Sequence, residues 1–119
     1  MIYGLGIDAT DIARIVEAQT KNPNFALKVL TDGEYAHYQT LSGRRAAEYL
    51  AGRFSVKESY SKAYGTGLGK VGLRDVETLN DDYGKPVISR HPYPGNAFVS
   101  ITHTDTVVFT EVILERSED

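Results

Sequence analysis

The chain of 119 residues has no cysteine, no tryptophan, a single methionine and only four prolines. Without cysteine there can be no disulfide, no thiolate metal site and no cysteine nucleophile, a composition compatible with a reducing compartment. Zinc is poorly served as well, because His37, His91 and His103 lack a short ligand spacing. No stretch approaches the roughly 20 apolar residues of a membrane-spanning helix, and Met1 to Asp8 has neither a basic region nor a long apolar one of the secretory kind. A cytoplasmic protein with no membrane partner is expected. Positive charge is not in excess either, since the net charge is −3, which argues against generic nucleic-acid binding.

What the chain does contain describes an ordinary globular protein: 41% hydrophobic and 24% charged residues, with eight tyrosines and four phenylalanines. Its length fits a single domain, residues 1–119, small enough that a shared interface would help it build a deep cleft. Ile2 to Ile7 reads as a strand ending at Asp8. A helix with Ile12, Ile15 and Val16 on its apolar side follows, capped by Thr10 or Asp8 and ended by Lys21-Asn22-Pro23. Phe25 to Leu30 reads as a short helix, and Thr31 or Asp32 caps another that carries Tyr35, Tyr38 and Leu41. After Ser42-Gly43 a long helix spans 44–64 and stops at the glycine-rich run from Gly65 to Gly69. Beyond Gly72 the pattern turns to strands: Leu73 to Leu79 and Pro86 to Ser89 around a turn at 81–84, then Phe98 to His103 and Val107 to Leu114 around a turn at 104–106. The fold class is therefore α+β, a helix-rich N-terminal half whose long helix packs on a mainly antiparallel sheet that the first strand is free to join.

Glu58 is the most informative residue. At about 100° per residue, Ala47, Leu50, Ala51 and Phe54 fall on one stripe of the long helix and Glu58 projects onto it. An unpartnered carboxylate there costs several kcal/mol, so the position calls for a cation, a strong hydrogen-bond donor or the mouth of a cleft. The alternative is a helix end beyond the core with Glu58 paired to Lys62, worth about 0.3–0.5 kcal/mol. Asp8 ends the first strand, where it can meet an acid from a neighbouring helix or simply cap the next one. Two carboxylates completed by water and phosphate oxygens are the usual setting for Mg²⁺. Segment 44–62 holds Arg44, Arg45, Arg53, Lys57 and Lys62 against Glu48 and Glu58, five cations to two acids, which suits an anionic partner or a solvated helix face.

Two phosphate-binding patterns fail on context. Gly67-Leu68-Gly69-Lys70-Val71-Gly72 has dinucleotide spacing, yet it follows a helix and leads into strand-like sequence. Gly69-Lys70 lacks the first glycine and the final hydroxyl of a P-loop. The glycines beside Lys62 can still line an anion site or serve as a helix cap and loop. His103 ends an alternating strand and either faces a cleft or lies on the surface.

Taken in order, Gly6-Ile7-Asp8 with Arg14, the block Arg53-Phe54-Ser55-Val56-Lys57-Glu58-Ser59-Tyr60-Ser61-Lys62-Ala63, Gly65-Thr66-Gly67, Gly84-Lys85-Pro86 and Ser100-Ile101-Thr102-His103 resemble the holo-acyl-carrier-protein synthases, small phosphopantetheinyl transferases. Tyr83 stands where that family often has Asn, and Thr102 where Ser is usual. The resemblance implies transfer of the 4′-phosphopantetheine arm from coenzyme A to a serine of apo-acyl carrier protein, in support of fatty acid biosynthesis, with Mg²⁺ as cofactor. It implies Asp8 and Glu58 as metal ligands and Lys62 as a further catalytic group. Coenzyme A contacts are expected from Arg53, Phe54, Lys57, Lys62, Gly65, Thr66, Gly67, Pro86 and His103. The acidic carrier is expected to meet Arg14, Lys21, Arg44 and Arg45. A homotrimer with sites between subunits is implied too; a coenzyme A-binding regulatory module without turnover is the competing function.

Overall fold

The structure, a computed structural model, describes residues 1–65 and 70–117. Its first strand, β1 (Ile2–Asp11), runs further than its apolar stretch suggests, because residues through Asp11 continue to pair with β5 (Val107–Glu115), with Asp8 opposite Thr110 and Asp11 opposite Val107. Asp8 and Thr10 are thus strand residues and neither caps the helix that follows. That helix, α1 (Ile12–Lys21), starts after Asp11, whose side chain makes no capping bond, and the Ile12 N–H donates instead to the Thr106 carbonyl at 2.9 Å.

Two short helices come next, α2 (Phe25–Val29) and α3 (Asp32–Tyr38). Thr31 caps α3 as the sequence suggests, in a reciprocal capping box with Glu34. The long helix α4 (Gly43–Tyr64) ends at Gly65, which takes a left-handed φ of 86° that other residues rarely adopt. The strand expected over Leu73 to Leu79 is split into a 3₁₀ turn (Leu73–Asp75) and a shorter β2 (Glu77–Asn80), which pairs with β3 (Pro86–Arg90) as a separate two-stranded sheet. The other sheet is antiparallel, in the order β1-β5-β4, with β4 spanning Asn96–His103.

α4 lies at the centre, between β1 and β5 on one side and the short helices and β2 on the other. From Leu50 to Ala63 every residue of it is buried except Phe54, Glu58 and Lys62. These three, spaced by four, form the accessible line of that stretch. Glu58 therefore sits on the open stripe of an otherwise encased helix, and not on an apolar stripe as its spacing from Ala47, Leu50 and Phe54 suggests. Hydrophobicity misleads here because Arg53, Ser55, Lys57, Ser59 and Ser61 are buried polar residues whose hydrogen bonds are made internally.

The contact of α4 with β1 is close because β1 presents glycine to it. A Cβ at Gly4 would lie 1.9 Å from the Ala63 carbonyl oxygen, and one at Gly6 would lie 2.0 Å from that of Ser59. From Gly4 to Thr10 the even-numbered residues of β1 face this contact, while the odd-numbered Leu5 and Ile7 point the other way and are 58% and 63% exposed. Phe98 and Phe109 extend that exposed face across β4 and β5. Among the described residues no helix is long and apolar enough to cross a membrane.

Candidate active site at the contact of the first strand and the long helix

Asp8 reaches α4 two residues beyond Gly6, half-buried, with its two carboxylate oxygens in different surroundings. Oδ2 accepts from Thr10 Oγ1 at 2.6 Å and from Ser55 Oγ at 2.7 Å. Oδ1 lies 3.5 Å from the Lys62 ammonium, which also donates to the Ile7 carbonyl at 3.1 Å. Lys62 is half-exposed, one helical turn beyond Glu58.

Burial, and after it the carboxylate of Asp8, push Glu58 above the ordinary range for a glutamic acid; Lys62 and Arg14 draw it partway back. Those causes place Asp8, Glu58, Lys62 and Arg14 in one electrostatic neighbourhood. Glu58 makes no hydrogen bond or ion pair among the described residues, so two acids share the site with Lys62 and Arg14 as the nearby cations. Pairing of Glu58 with Lys62 is accordingly not how the helix end is arranged, because Lys62 turns to Asp8 and the Ile7 carbonyl.

Two partly buried like charges are the arrangement that a divalent cation relieves. Among the described residues no group of three or more His, Asp or Glu side chains could hold a metal ion. The protein offers two carboxylates, leaving other ligands to water and substrate, and this donor set fits Mg²⁺ rather than a metal needing an all-protein cage. An open cleft of about 600 Å³ runs along the exposed face of the larger sheet, lined by Ile7, Ala9, Phe109 and Glu111, and reaches Asp8 and Lys62.

Several residues expected to hold coenzyme A are placed otherwise. Lys57 is 1% exposed; its ammonium donates to Glu34 Oε1 at 2.8 Å and to the Val76 carbonyl, and Glu34 in turn accepts from the N–H groups of Thr31 and Thr78. Lys57 is a buried brace tying α4 to α3 and to the Val76 carbonyl just before β2, and its ammonium is turned to the interior and away from any ligand at the surface. Arg53, also buried, donates to the Thr78 carbonyl at 3.0 Å and to Asn80 Oδ1 at 2.9 Å and lies over the Tyr49 ring, so it too supports β2. The Gly65 N–H is committed to the Ser61 and Lys62 carbonyls as a helix cap. Thr66 and Gly67 lie outside the described residues.

Phe54 is half-buried, 6.1 Å from the Phe25 ring centre, one turn before Glu58. Pro86 opens β3 on the smaller sheet. His103 is at the other end of α4, its Nδ1 3.7 Å from Glu48. Glu48 precedes Glu58 by ten residues, roughly 15 Å along a helix. A single chain therefore does not bring His103 to the Asp8–Glu58 pair. Of the basic residues expected to meet a carrier, Arg14 is exposed within reach of Glu58's field, and Arg45 is exposed on α4. Lys21 is paired with Glu17 at 2.8 Å, and Arg44 with Glu48 and Asp105.

Thr10 and Ser55 are the site residues that reading the sequence missed. A signal existed: Thr10 shares a strand face with Asp8 at a spacing of two, and Ser55 precedes Glu58 by three residues on the same helix.

Residues 4–113 match the family model of the 4′-phosphopantetheinyl transferase superfamily. The chain is 66% identical over 116 residues to the holo-[acyl-carrier-protein] synthase of Lacticaseibacillus casei (strain BL23), covering 98% of this chain and 94% of that one. It is 54% identical over 120 residues to the holo-[acyl-carrier-protein] synthase of Levilactobacillus brevis, covering 100% and 98%. Among solved structures, it superposes with a TM-score of 0.92 on the Bacillus anthracis holo-(acyl-carrier-protein) synthase in complex with CoA (3′,5′-ADP), at 41% identity and with 98% and 99% of the two chains covered.

Proposed function

Because the chain belongs to the 4′-phosphopantetheinyl transferase superfamily, we propose that it transfers the 4′-phosphopantetheine arm of coenzyme A to a serine of an apo-acyl carrier protein, releasing adenosine 3′,5′-bisphosphate. What supports this reading at the level of chemistry is the Lys62 ammonium 3.5 Å from Asp8 at the close contact of β1 and α4, with Glu58 one helical turn before Lys62 and under the influence of Asp8. The serine oxygen forms a bond to the β-phosphorus while the bond from that phosphorus to the bridging oxygen breaks, and the bisphosphate leaves with the bridging oxygen. Asp8 and Glu58 would hold Mg²⁺, which would supply neutralisation of charge on the diphosphate. Lys62 sets its ammonium against the charge that gathers on the leaving bisphosphate. A metal-bound water or Glu58 itself would accept the serine proton.

The bulk of coenzyme A then falls to Lys62, Phe54, Pro86 and His103, together with Thr66 and Gly67. His103 lies far along α4 from Glu58, which supports a site completed by a neighbouring copy. The exposed apolar face carrying Leu5, Ile7, Phe98 and Phe109 supports a homotrimer packed through that surface. Arg14, with Lys21, Arg44 and Arg45, steers the acidic carrier toward the site. We place this single domain, residues 1–119, in the cytoplasm, in the service of fatty acid biosynthesis.

Intact-mass measurement of apo-acyl carrier protein after incubation with the enzyme, coenzyme A and Mg²⁺ tests the proposal. A mass gain equal to one phosphopantetheinyl group is expected. Release of bisphosphate without that gain would make the protein a hydrolase, and coenzyme A binding with neither outcome would make it a regulatory module.

A further inference from the structure

Behind Asp8, the contact between α4 and the larger sheet contains a seam of hydroxyls to which the transfer reaction assigns no part. Val108, Thr110, Val112 and Leu114 form the inner row of β5, and Thr110 is its polar member, directly across from Asp8. Ser55 and Ser59, one turn apart on α4, close onto Thr110, while Thr10 lies beside Asp8 on β1. Ser55 and Ser59 are 0% exposed, Thr10 3% and Thr110 4%. Alanine and valine would fill the same volumes without any hydrogen-bonding demand.

The protons of this seam can be assigned from the contacts. A carboxylate only accepts, so Thr10 and Ser55 each commit their single hydroxyl proton to Asp8 Oδ2, at 2.6 Å and 2.7 Å. Ser55 Oγ must then accept at its 2.8 Å contact with Thr110 Oγ1, which makes Thr110 the donor. Ser59 in turn donates to Thr110 Oγ1 at 2.5 Å, with the Thr110 carbonyl as its other acceptor at 3.2 Å. Every proton points toward Asp8. The far end closes on a backbone carbonyl and meets neither a titratable group nor solvent, so the seam is a brace and not a path for protons. Bonds aligned in this way polarise one another toward the carboxylate.

The two donors fill both lone-pair directions of Oδ2, which leaves Oδ1 as the oxygen that Asp8 can offer. We infer that Thr10 and Ser55, backed by Thr110 and Ser59, are positioning residues that hold Asp8 to one-oxygen ligation and so set which divalent cation the site accepts. The inference rests on the reading of Asp8 and Glu58 as cation ligands. Mg²⁺ demands a compact octahedron and is suited by single oxygens, whereas the larger Ca²⁺ readily takes both oxygens of one carboxylate. With Oδ2 occupied, Asp8 favours the smaller ion. With Oδ2 released, the carboxylate can rotate and chelate.

The test is made on the full chain saturated with coenzyme A, without carrier protein, so that no turnover occurs. Mn²⁺ binding is followed by electron paramagnetic resonance, and Mg²⁺ and Ca²⁺ affinities by displacement of Mn²⁺. In the double variant Thr10→Val/Ser55→Ala, Mg²⁺ affinity should fall by about tenfold, the scale of a lost supporting hydrogen bond at a metal ligand, while Ca²⁺ affinity falls by less than about twofold. Ser59→Ala, which removes only the outermost donor, should move the ratio in the same direction and by less. Valine matches threonine in shape and alanine favours a helix, so the variants should fold; if the double variant does not, Thr10→Val alone carries the same expectation at smaller amplitude. Unchanged affinities, or equal losses for the two ions, overturn the inference provided that Asp8→Asn abolishes Mn²⁺ binding. Retention of Mn²⁺ by Asp8→Asn overturns the assignment of the cation ligands, and the inference with it.

Discussion

Replacing Gly6 with alanine would place a methyl carbon 2.0 Å from the Ser59 carbonyl oxygen, 2.7 Å from the Ala63 nitrogen and 3.0 Å from Lys62 Cβ. Two of these neighbours are backbone atoms of α4, so no side chain can swing aside. Since such contacts are essentially never shorter than 3.0 Å, β1 and α4 must separate by at least about 1 Å. Overpacking of that kind costs roughly 1–3 kcal/mol. The same separation stretches the Ser55–Asp8 hydrogen bond and the Ser59–Thr110 pair, at about 1 kcal/mol each. A total loss of roughly 3–5 kcal/mol is therefore expected, a large part of the 5–15 kcal/mol typical of a folded domain. Because Asp8 and Glu58 stand on the two elements forced apart, kcat should fall by about a hundredfold, the scale of a 1 Å displacement at a reacting centre. Gly52→Ala is the matched control. Its Cβ would lie 3.8 Å from Ile101 and 3.9 Å from Val108, ordinary contacts, and removing a helical glycine should add about 0.5–1 kcal/mol. Urea denaturation and steady-state kinetics on the two variants measure both effects. If Gly6→Ala unfolds at the wild-type urea midpoint and keeps its turnover, the glycine contact does not set the spacing of the two carboxylates.

Lys57→Met should cost about 3–5 kcal/mol by leaving Glu34 buried without its cation, and the KM for coenzyme A of the protein that still folds should stay at the wild-type value; a selective rise in that KM would return Lys57 to the anion site. Glu58→Gln should abolish transfer yet raise the Tm of the metal-free protein at neutral pH. The sign follows from its raised pKa: the folded state favours the protonated acid, so the ionised form costs stability at neutral pH and the advantage of glutamine vanishes below about 4.5, where the wild-type acid is protonated in both states. A Tm gain that persisted at low pH would contradict this. Burial holds His91 below its usual value, with Nδ1 3.0 Å from the Tyr60 hydroxyl, so stability should be fully present above about 6.5 and decline as pH falls through the lower folded value. His91→Gln should flatten that decline in a pH series of thermal melts, and an unaltered slope would assign it to other groups. Arg14→Ala should raise the KM for the carrier protein far more than that for coenzyme A, and equal changes would exclude docking there.

Much of the architecture can be read along the chain because its signals are local. The Thr31-x-x-Glu34 box, the long helix with its glycine stop and the alternation of β4 and β5 each depend on neighbours within a few residues. Where the reading fails, a distant partner decides. The length of β1 is set by β5, about a hundred residues later, which turns Asp8 and Thr10 from cap candidates into strand residues. Lys57 lies in a run of helical charges like any surface lysine, and only the approach of Glu34 and the Val76 carbonyl takes it into the interior.

The amino-acid sequence alone determined the α+β class and the order of the helices and main strands, since these follow from periodicity, capping residues and turn chemistry. Only the tertiary structure decided that Glu58 occupies the open line of an encased helix, that Arg53 and Lys57 serve the interior, and that Thr10 and Ser55 occupy one oxygen of Asp8 and leave the other. Burial and hydrogen-bond commitment are properties of contacts between segments far apart in the chain. A side chain's type states what it can offer, and its packed neighbours settle whether anything remains to be offered.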